Sequence, residues 1–265
     1  MEFWKLCGAG NDFVLLSHMD GTERDFPALA RRLCDRHFGI GADGLIVAEP
    51  PEHGGDCKMR FFNNDGSAAE MCGNGARCIC RWCRETGLSG DEQRIEATAG
   101  MVIGRRISDD RYRIALNTPH ILRLHLPLDG LDCAYLELGD PGIPHVVVET
   151  DLTQDRAALL AMAKALRSHP SFPRGANVNL CEITAENEMR LLTFERGVED
   201  FTLACGTGAG ATAAALTLRG RVSGQGTRIV TDGGLLEVDV LPKEPFPELF
   251  LTGEARMICR GEVFL

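Results

Sequence analysis

The sequence predicts an α+β fold made of two similar halves, and three observations point there. Short β-rich runs outnumber helical patterns and do not alternate with them strictly, which disfavours a regular βαβ array. A six-residue element, Met71-Cys72-Gly73-Asn74-Gly75-Ala76, returns as Ala204-Cys205-Gly206-Thr207-Gly208-Ala209. The two cysteines stand 133 residues apart (72 to 205) in a chain of 265, half its length.

Taken in order, residues 13–16, 45–47, 59–62, 112–116 and 146–148 read as strands, each bounded by Gly, Pro, Asn or Asp. Residues 189–194, 228–230 and 235–240 continue the pattern in the second half. Helical periodicity marks Pro27 to Arg36, Ala76 to Glu85, Arg156 to Arg167 and Ala209 to Arg219. Each copy of the cysteine element follows a strand and opens a helix. Those helices run to Gly87 and Gly220, residues suited to a helix C-terminus. No Gly/Ser-rich linker separates the halves, so the junction is placed near Asn117-Thr118-Pro119. An N-terminal domain over 1–117 would carry Cys72 and be completed by a C-terminal strand within 254–265. A second domain over 118–253 would carry Cys205.

Hydrophobic residues at 44% and charged residues at 25% are ordinary for a soluble globular protein. A net charge of −10 argues against nucleic acid or an anionic membrane as a partner, since both favour basic patches. No run approaches the ~18–20 apolar residues of a membrane span. Met1-Glu2-Phe3-Trp4-Lys5 lacks the basic start and apolar core of a signal peptide, so a cytoplasmic protein is expected. In that compartment the eleven cysteines are more readily buried, catalytic or metal-bound than paired as disulfides.

A cysteine just before a helix meets first-turn N–H groups and the positive end of the helix dipole, both of which favour a thiolate. An ordinary thiol titrates near about 8.5, and a helix end worth up to ~1–2 kcal/mol lowers that by about one unit. The flanking glycines let the backbone approach a ligand closely, so the same N–H groups can hold a carboxylate. Two such sites face to face would invert a stereocentre. One thiolate takes a proton from carbon while the opposite thiol returns one, and the pinned carboxylate absorbs the developing charge.

Seven ordered stretches carry a resemblance to a known family. They are Gly10-Asn11-Asp12-Phe13, Arg36-His37-Phe38-Gly39-Ile40-Gly41, Asn63-Asn64-Asp65-Gly66-Ser67, Cys72 to Cys78, Pro144-His145, Glu195-Arg196-Gly197 and Ala204 to Gly208. Together the chain resembles the diaminopimelate epimerases over nearly its whole length. The resemblance implies two similar domains, each a β-barrel-like sheet wrapped around a central helix, with the active site in the cleft between them. It implies Cys72 and Cys205 as acid and base, with His145 and Glu195 tuning the thiols. Substrate contacts would come from Asn11, Asn63, Gly73, Asn74, Asn177, Glu195, Arg196, Gly206 and Thr207. Arg196 suits a carboxylate and Glu195 an ammonium, while the asparagines fill the remaining polar positions. No pyridoxal phosphate and no metal are expected; the partner is a small amino acid, and a homodimer is compatible with the reading.

Gly44 stands where many relatives carry glutamine, Ile143 where many carry asparagine, and Phe201 where an acidic residue is frequent. These departures touch substrate identity and leave the thiol pair intact. Racemisation of another amino acid, such as histidine or glutamate, is therefore a rival, and a non-catalytic amino-acid-binding protein is another. Cys78, Cys80 and Cys83 suggest zinc or a C-x-x-C redox pair, but they fall inside a predicted helix and are read as packing. Gly206 to Ala211 fits G-x-G-x-x-A formally, yet Asp232 lies too far on for the ribose-binding acid, and the cysteine repeat explains the glycines better.

Overall fold

A computed structural model describes residues 1–22, 24–69, 72–98 and 100–264; Met71, the first residue of the repeated element, lies outside the described residues. The chain runs through β1 (Glu2–Gly8), β2 (Asn11–Ser17), α1 (Phe26–Cys34), β3 (Gly44–Glu49), β4 (Cys57–Asn63), β5 (Ala68–Ala69), α2 (Gly73–Glu85), β6 (Glu92–Ala97), β7 (Gly100–Arg106) and β8 (Arg111–Ala115). It continues through β9 (Pro119–Leu128), β10 (Leu131–Leu138), β11 (Ile143–Glu149), α3 (Arg156–Arg167), β12 (Asn177–Ala185), β13 (Glu188–Phe194) and β14 (Phe201–Thr202). Then come α4 (Gly206–Leu218), β15 (Thr227–Thr231), β16 (Gly234–Leu241), β17 (Glu248–Glu254) and β18 (Arg256–Glu262). Residues Met1–Ile114 with Gly253–Leu265 make one compact unit, and Ala115–Thr252 make another.

The two units share one ladder. In the first, β1 pairs antiparallel with β2, β2 parallel with β3 across α1, β3 antiparallel with β4, and β4 parallel with β6 across α2. In the second, β10, β11, β12, β13 and β15 repeat that order and those directions, with α3 and α4 as the crossovers. The two-residue strands β5 and β14 edge β4 and β13 equivalently, and β18 flanks β1 as β9 flanks β10. Among the described residues these four parallel pairs fall where a helix crosses over, since a parallel connection needs a long excursion and a hairpin does not. Mixed sheets with two helices each are the outcome, as the irregular alternation of the sequence suggested.

Both α2 and α4 are largely buried, and burial dictates their composition. In α4 the run from Gly208 to Leu216 is buried throughout and is nearly all Gly, Ala and Thr, so strands can close on it. In α2, Cys78, Cys80 and Cys83 are fully buried and act as small apolar residues. Sheet and helix come so close there that a Cβ at Gly104 in β7 would meet Cys80 Sγ at 2.4 Å. Both helices end at a C-cap followed by a left-handed glycine, Gly87 at φ 75° and Gly220 at φ 68°. α1 stops two residues before the expected end, because the Asp35 carboxylate accepts from the His37 and Phe38 N–H groups (both 2.7 Å) and turns the chain.

Sequence periodicity found none of β1, β5, β6, β7, β9, β10, β12, β14 and β17. Length does not explain the misses, since β9 and β12 have ten and nine residues, and β9 alternates Leu122, Leu124, Leu126 and Leu128 with Arg123, His125 and Pro127, a readable period of two.

Candidate active site

Cys72 and Cys205 are the N-caps of α2 and α4. Their backbones are nearly superimposable, with φ, ψ of −135°, 111° and −120°, 113°. Each Sγ accepts the N–H three residues on, Gly75 N at 3.4 Å and Gly208 N at 3.3 Å. A sulfur here occupies the place of a capping serine or aspartate oxygen. Helix geometry gives first-turn N–H groups no intrahelical acceptor, and the Gly73-Asn74 and Gly206-Thr207 peptides form those turns. Each unit therefore presents a cysteine sulfur beside first-turn N–H groups of the kind that attract an anion.

Around Cys72 the first unit builds a charged scaffold. The β1–β2 hairpin turns through Ala9 (φ 51°) and Gly10 (φ 81°), a two-residue turn with both centres left-handed, which delivers Asn11 at the first position of β2. The Asn11 amide donates to Asp43 Oδ2 at 2.7 Å, so its oxygen faces away from the carboxylate and accepts from the Cys72 thiol at 3.7 Å. Asp43 is held by the Asp12 N–H (3.1 Å) and by Arg36 (2.9 Å), and Asp12 pairs with Lys5 at 2.6 Å. Burial alone would raise the Asp12 carboxyl, but the Lys5 ammonium and the Asp43 contacts hold it below the usual range. Asn74 is kept in place by fully buried Arg77, whose guanidinium donates to Asn74 Oδ1 (2.8 Å), Gly73 O (3.3 Å) and Glu254 O (3.4 Å). Asn63 ends β4 opposite Gly44 and donates to Ser67 Oγ at 2.9 Å.

The second unit is built differently. Cys205 Sγ and the Thr207 hydroxyl share a hydrogen bond at 3.4 Å. His145 in β11 is fully buried and lies in register with Asn177 of β12. Asn177 Oδ1 accepts the Arg196 N–H at 2.8 Å, while the Arg196 guanidinium donates to Arg174 O at 3.0 Å. Burial raises the Glu195 carboxyl above the usual range. Burial first, and the Arg196 charge second, depress the His145 imidazole to about 3.

That depression has a measurable consequence. The unfolded chain protonates this histidine near pH 6.5 and the folded chain does not, so stability is lost as pH falls below 6.5. The loss is about 1.4 kcal/mol per pH unit, or about 2 kcal/mol between pH 7 and 5. Urea unfolding of wild type and His145→Gln at both pH values checks this; the variant should lack that part of the decline.

Two of the three departures, Gly44 and Phe201, have packing explanations, and nothing in the structure explains Ile143. A Cβ at Gly44 would sit 2.5 Å from Phe61 Cε2 and 2.8 Å from Phe62 O, so this chain has no room there for a larger residue without moving the Phe61 ring. Phe201 packs edge-on against Phe194 (centroids 6.0 Å apart), with the Arg156 guanidinium 5.3 Å from its ring centre. Sequence reasoning missed Asp43, Arg77, Asn179 and Thr193. Asp43 had a signal in the Gly41-Ala42-Asp43-Gly44 run that leads into β3, and Asn179 in the polar alternation Asn177-Val178-Asn179 of a buried strand. Among the described residues no group of three His, Cys, Asp or Glu side chains is placed to hold a metal. Cys57 and Cys83 lie buried with their sulfurs 3.3 Å apart.

The family model for diaminopimelate epimerase matches residues 3–117 and 139–258. The chain is 37% identical to the diaminopimelate epimerase of Aquifex aeolicus (strain VF5), covering 99% of this chain and 98% of that one. It is 38% identical to that of Moorella thermoacetica (strain ATCC 39073 / JCM 9320), covering 99% of each. Among solved structures it is similar to the Bacillus anthracis phenazine biosynthesis protein of the PhzF family, with a TM-score of 0.76 over 100% of this chain and 99% of that chain. Identity there is 15%, so that likeness speaks for the fold alone. Family model and full-length relatives agree, and the chain belongs to the diaminopimelate epimerase family.

Proposed function

We propose that this protein interconverts LL- and meso-2,6-diaminopimelate by moving the proton at one α-carbon between two cysteines, in the formation of lysine and cell-wall precursors. The observation that carries the reading is the duplicated cap: two sulfurs, each at a helix N-terminus, each receiving the N–H three residues on. In this reading Cys72 and Cys205 act on opposite faces of the reacting carbon.

The thiolate of one cysteine takes the α-proton, and the electron pair left on carbon spreads into the α-carboxylate. That carboxylate lies against the Gly73-Asn74 and Gly206-Thr207 peptides, whose N–H groups strengthen as its charge grows. Removing one such donor costs about 10²–10³ in rate in enzymes that stabilise oxyanions. The thiol of the other cysteine then gives its proton to the opposite face, becoming the thiolate that starts the reverse reaction. Arg196, Asn177, Asn11 and Asn63 hold the distal amino-acid end, Glu195 takes an ammonium, and His145 supports the thiol chemistry.

The test is α-proton exchange and inversion with pure, reduced enzyme in deuterated water, using diaminopimelate alongside glutamate, histidine and other L-amino acids. Inversion and solvent deuterium incorporation at the α-carbon are expected with diaminopimelate. Inert diaminopimelate beside turnover of another amino acid would overturn the substrate, and no exchange with any of them would overturn the activity. Because protein thiols alone are asked to carry the proton, the rate should be unchanged by EDTA and by carbonyl reagents such as hydroxylamine. Abolition by thiol alkylation is the matching positive result.

A further inference from the structure

The shared ladder puts the two units in register residue by residue. Phe13 of β2 faces Gly44 of β3 as His145 of β11 faces Asn177 of β12, so Phe13 corresponds to His145. Counting along the same strands, Ile46 corresponds to Asn179. Phe61 of β4 corresponds to Thr193 of β13, because Ile46 pairs with Phe61 as Asn179 pairs with Thr193. Beneath the Cys72 helix the set is apolar: the Phe13 and Phe61 rings meet edge-on at 5.8 Å, and Ile46 Cδ1 is the nearest atom to where a Cβ of Gly75 would lie (3.3 Å). Beneath the Cys205 helix the same three positions form a buried hydrogen-bonded chain. Thr193 Oγ1 donates to Asn179 Oδ1 at 3.0 Å, and Asn179 Nδ2 donates to Val146 O at 3.0 Å and to His145 Nδ1 at 3.3 Å.

We infer that Asn179 and Thr193 are positioning residues for the Cys205 half, holding His145 in one tautomer and fixing the first turn of α4. The amide orientation is determined from both ends, since Val146 O can only accept and the Thr193 hydroxyl donates to the other side. His145 Nδ1 is therefore the acceptor and its proton sits on Nε2, which has no hydrogen-bond partner among the described residues. The same amide presses on the cap, because a Cβ on Gly208 would come 2.4 Å from Asn179 Oδ1 and 2.9 Å from Thr193 Oγ1. Gly208 N is the donor to Cys205 Sγ. One buried amide thus sets both the histidine proton and the placement of the cysteine's own donor, and the Cys72 half has no counterpart to it.

The inference rests on Cys205 being one of the two acid–base groups. Its test is ¹⁵N NMR of histidine-labelled enzyme, wild type and Thr193→Val, Thr193→Ser and Asn179→Leu, beside steady-state kinetics on diaminopimelate. Wild-type His145 should show an unprotonated, hydrogen-bonded Nδ1 and a protonated Nε2. Asn179→Leu should lose that signature and lower kcat by about 10²-fold with KM within about twofold, the signature of misplacement rather than lost binding. Thr193→Val should lower kcat by about tenfold, and Thr193→Ser, which keeps the hydroxyl, should restore it. Wild-type kcat and tautomer in folded Asn179→Leu, or an Nδ1–H tautomer in the wild type, overturns the inference. If Asn179→Leu does not fold, the near-isosteric Thr193 pair decides: equal kcat for Val and Ser overturns it. The tautomer needs no substrate, so an enzyme inert to diaminopimelate would defeat the proposed reaction without deciding this point.

Discussion

Alanine at Cys72 or Cys205 removes epimerisation, lowering kcat by at least about 10³-fold, while the protein stays folded. The size follows from the chemistry: a missing proton donor or acceptor leaves one face of the carbon without a partner, and positioned acid–base groups contribute about 10²–10⁴-fold each. The two residues act as a unit, so the double variant should be little worse than either single one. Loss of the sulfur also removes a helix cap, at a cost of about 1 kcal/mol, which by itself would not unfold the chain. Serine separates the two effects. Its oxygen caps a helix well, so Cys72→Ser and Cys205→Ser should unfold near the wild-type temperature and still fail to invert the substrate. Each single variant keeps one thiol and should exchange the α-proton of one diastereomer only, with the two variants choosing opposite ones. Proton NMR in deuterated water reads both exchange and inversion, and wild-type turnover in any of these variants would refute the two-thiol mechanism.

The duplicated cap was legible because it is local. A cysteine followed by Gly-x-Gly-Ala specifies a cap, a close backbone approach and a helix within five residues, and the two copies fold to nearly equal φ and ψ. The α3 boundaries were readable for the same reason, being set by a periodic run between Asp155 and Ser168. What stayed hidden is what depends on register between strands distant in sequence. Asp43 orients Asn11 from 32 residues away, and Asn179 reaches His145 across 34. No periodicity in either strand announces that partner. Gly44 shows the complementary difficulty: as sequence it looks like a missing polar contact, and only the Phe61 ring beside it shows that the position is closed by packing.

The same register explains why a duplicated motif does not make equivalent sites. The Cys72 thiol donates to an asparagine oxygen that can only accept, a contact available to the protonated form alone. The hydroxyl beside Cys205 can donate as well as accept, so it can serve either protonation state. The proposed reaction holds one thiol and one thiolate at the same moment, and two unlike halves suit that. The repeated element gives both caps, while Asn11 and Thr207 beside the sulfurs, together with the unlike residues beneath the helices, set the halves apart.

That divergence predicts opposite outcomes for one substitution made twice. Gly75 and Gly208 occupy the same place in their helices, and Gly→Ala in a helix interior normally stabilises by up to about 1 kcal/mol. At Gly75 the new methyl meets Ile46 Cδ1 at 3.3 Å, the far end of a flexible side chain, and atoms of Cys72 at 3.6 and 3.7 Å. Gly75→Ala should therefore unfold within about 1 kcal/mol of wild type and keep activity within about tenfold. At Gly208 the methyl meets Asn179 Oδ1 at 2.4 Å and Thr193 Oγ1 at 2.9 Å, two atoms locked in a buried chain. Overpacking of that kind costs about 1–3 kcal/mol, which exceeds the propensity gain. Because Gly208 N is the donor to Cys205 Sγ, the shift that relieves the clash also displaces the thiol, and kcat should fall by about 10²-fold. Adding Asn179→Ala to Gly208→Ala removes the closer obstruction. Stability should then recover in part, giving clear non-additivity between neighbouring sites, whereas kcat should stay low because the amide that orients His145 is gone. Equal behaviour of Gly75→Ala and Gly208→Ala in urea unfolding and in turnover would mean that the two floors do not differ in the way their registers indicate.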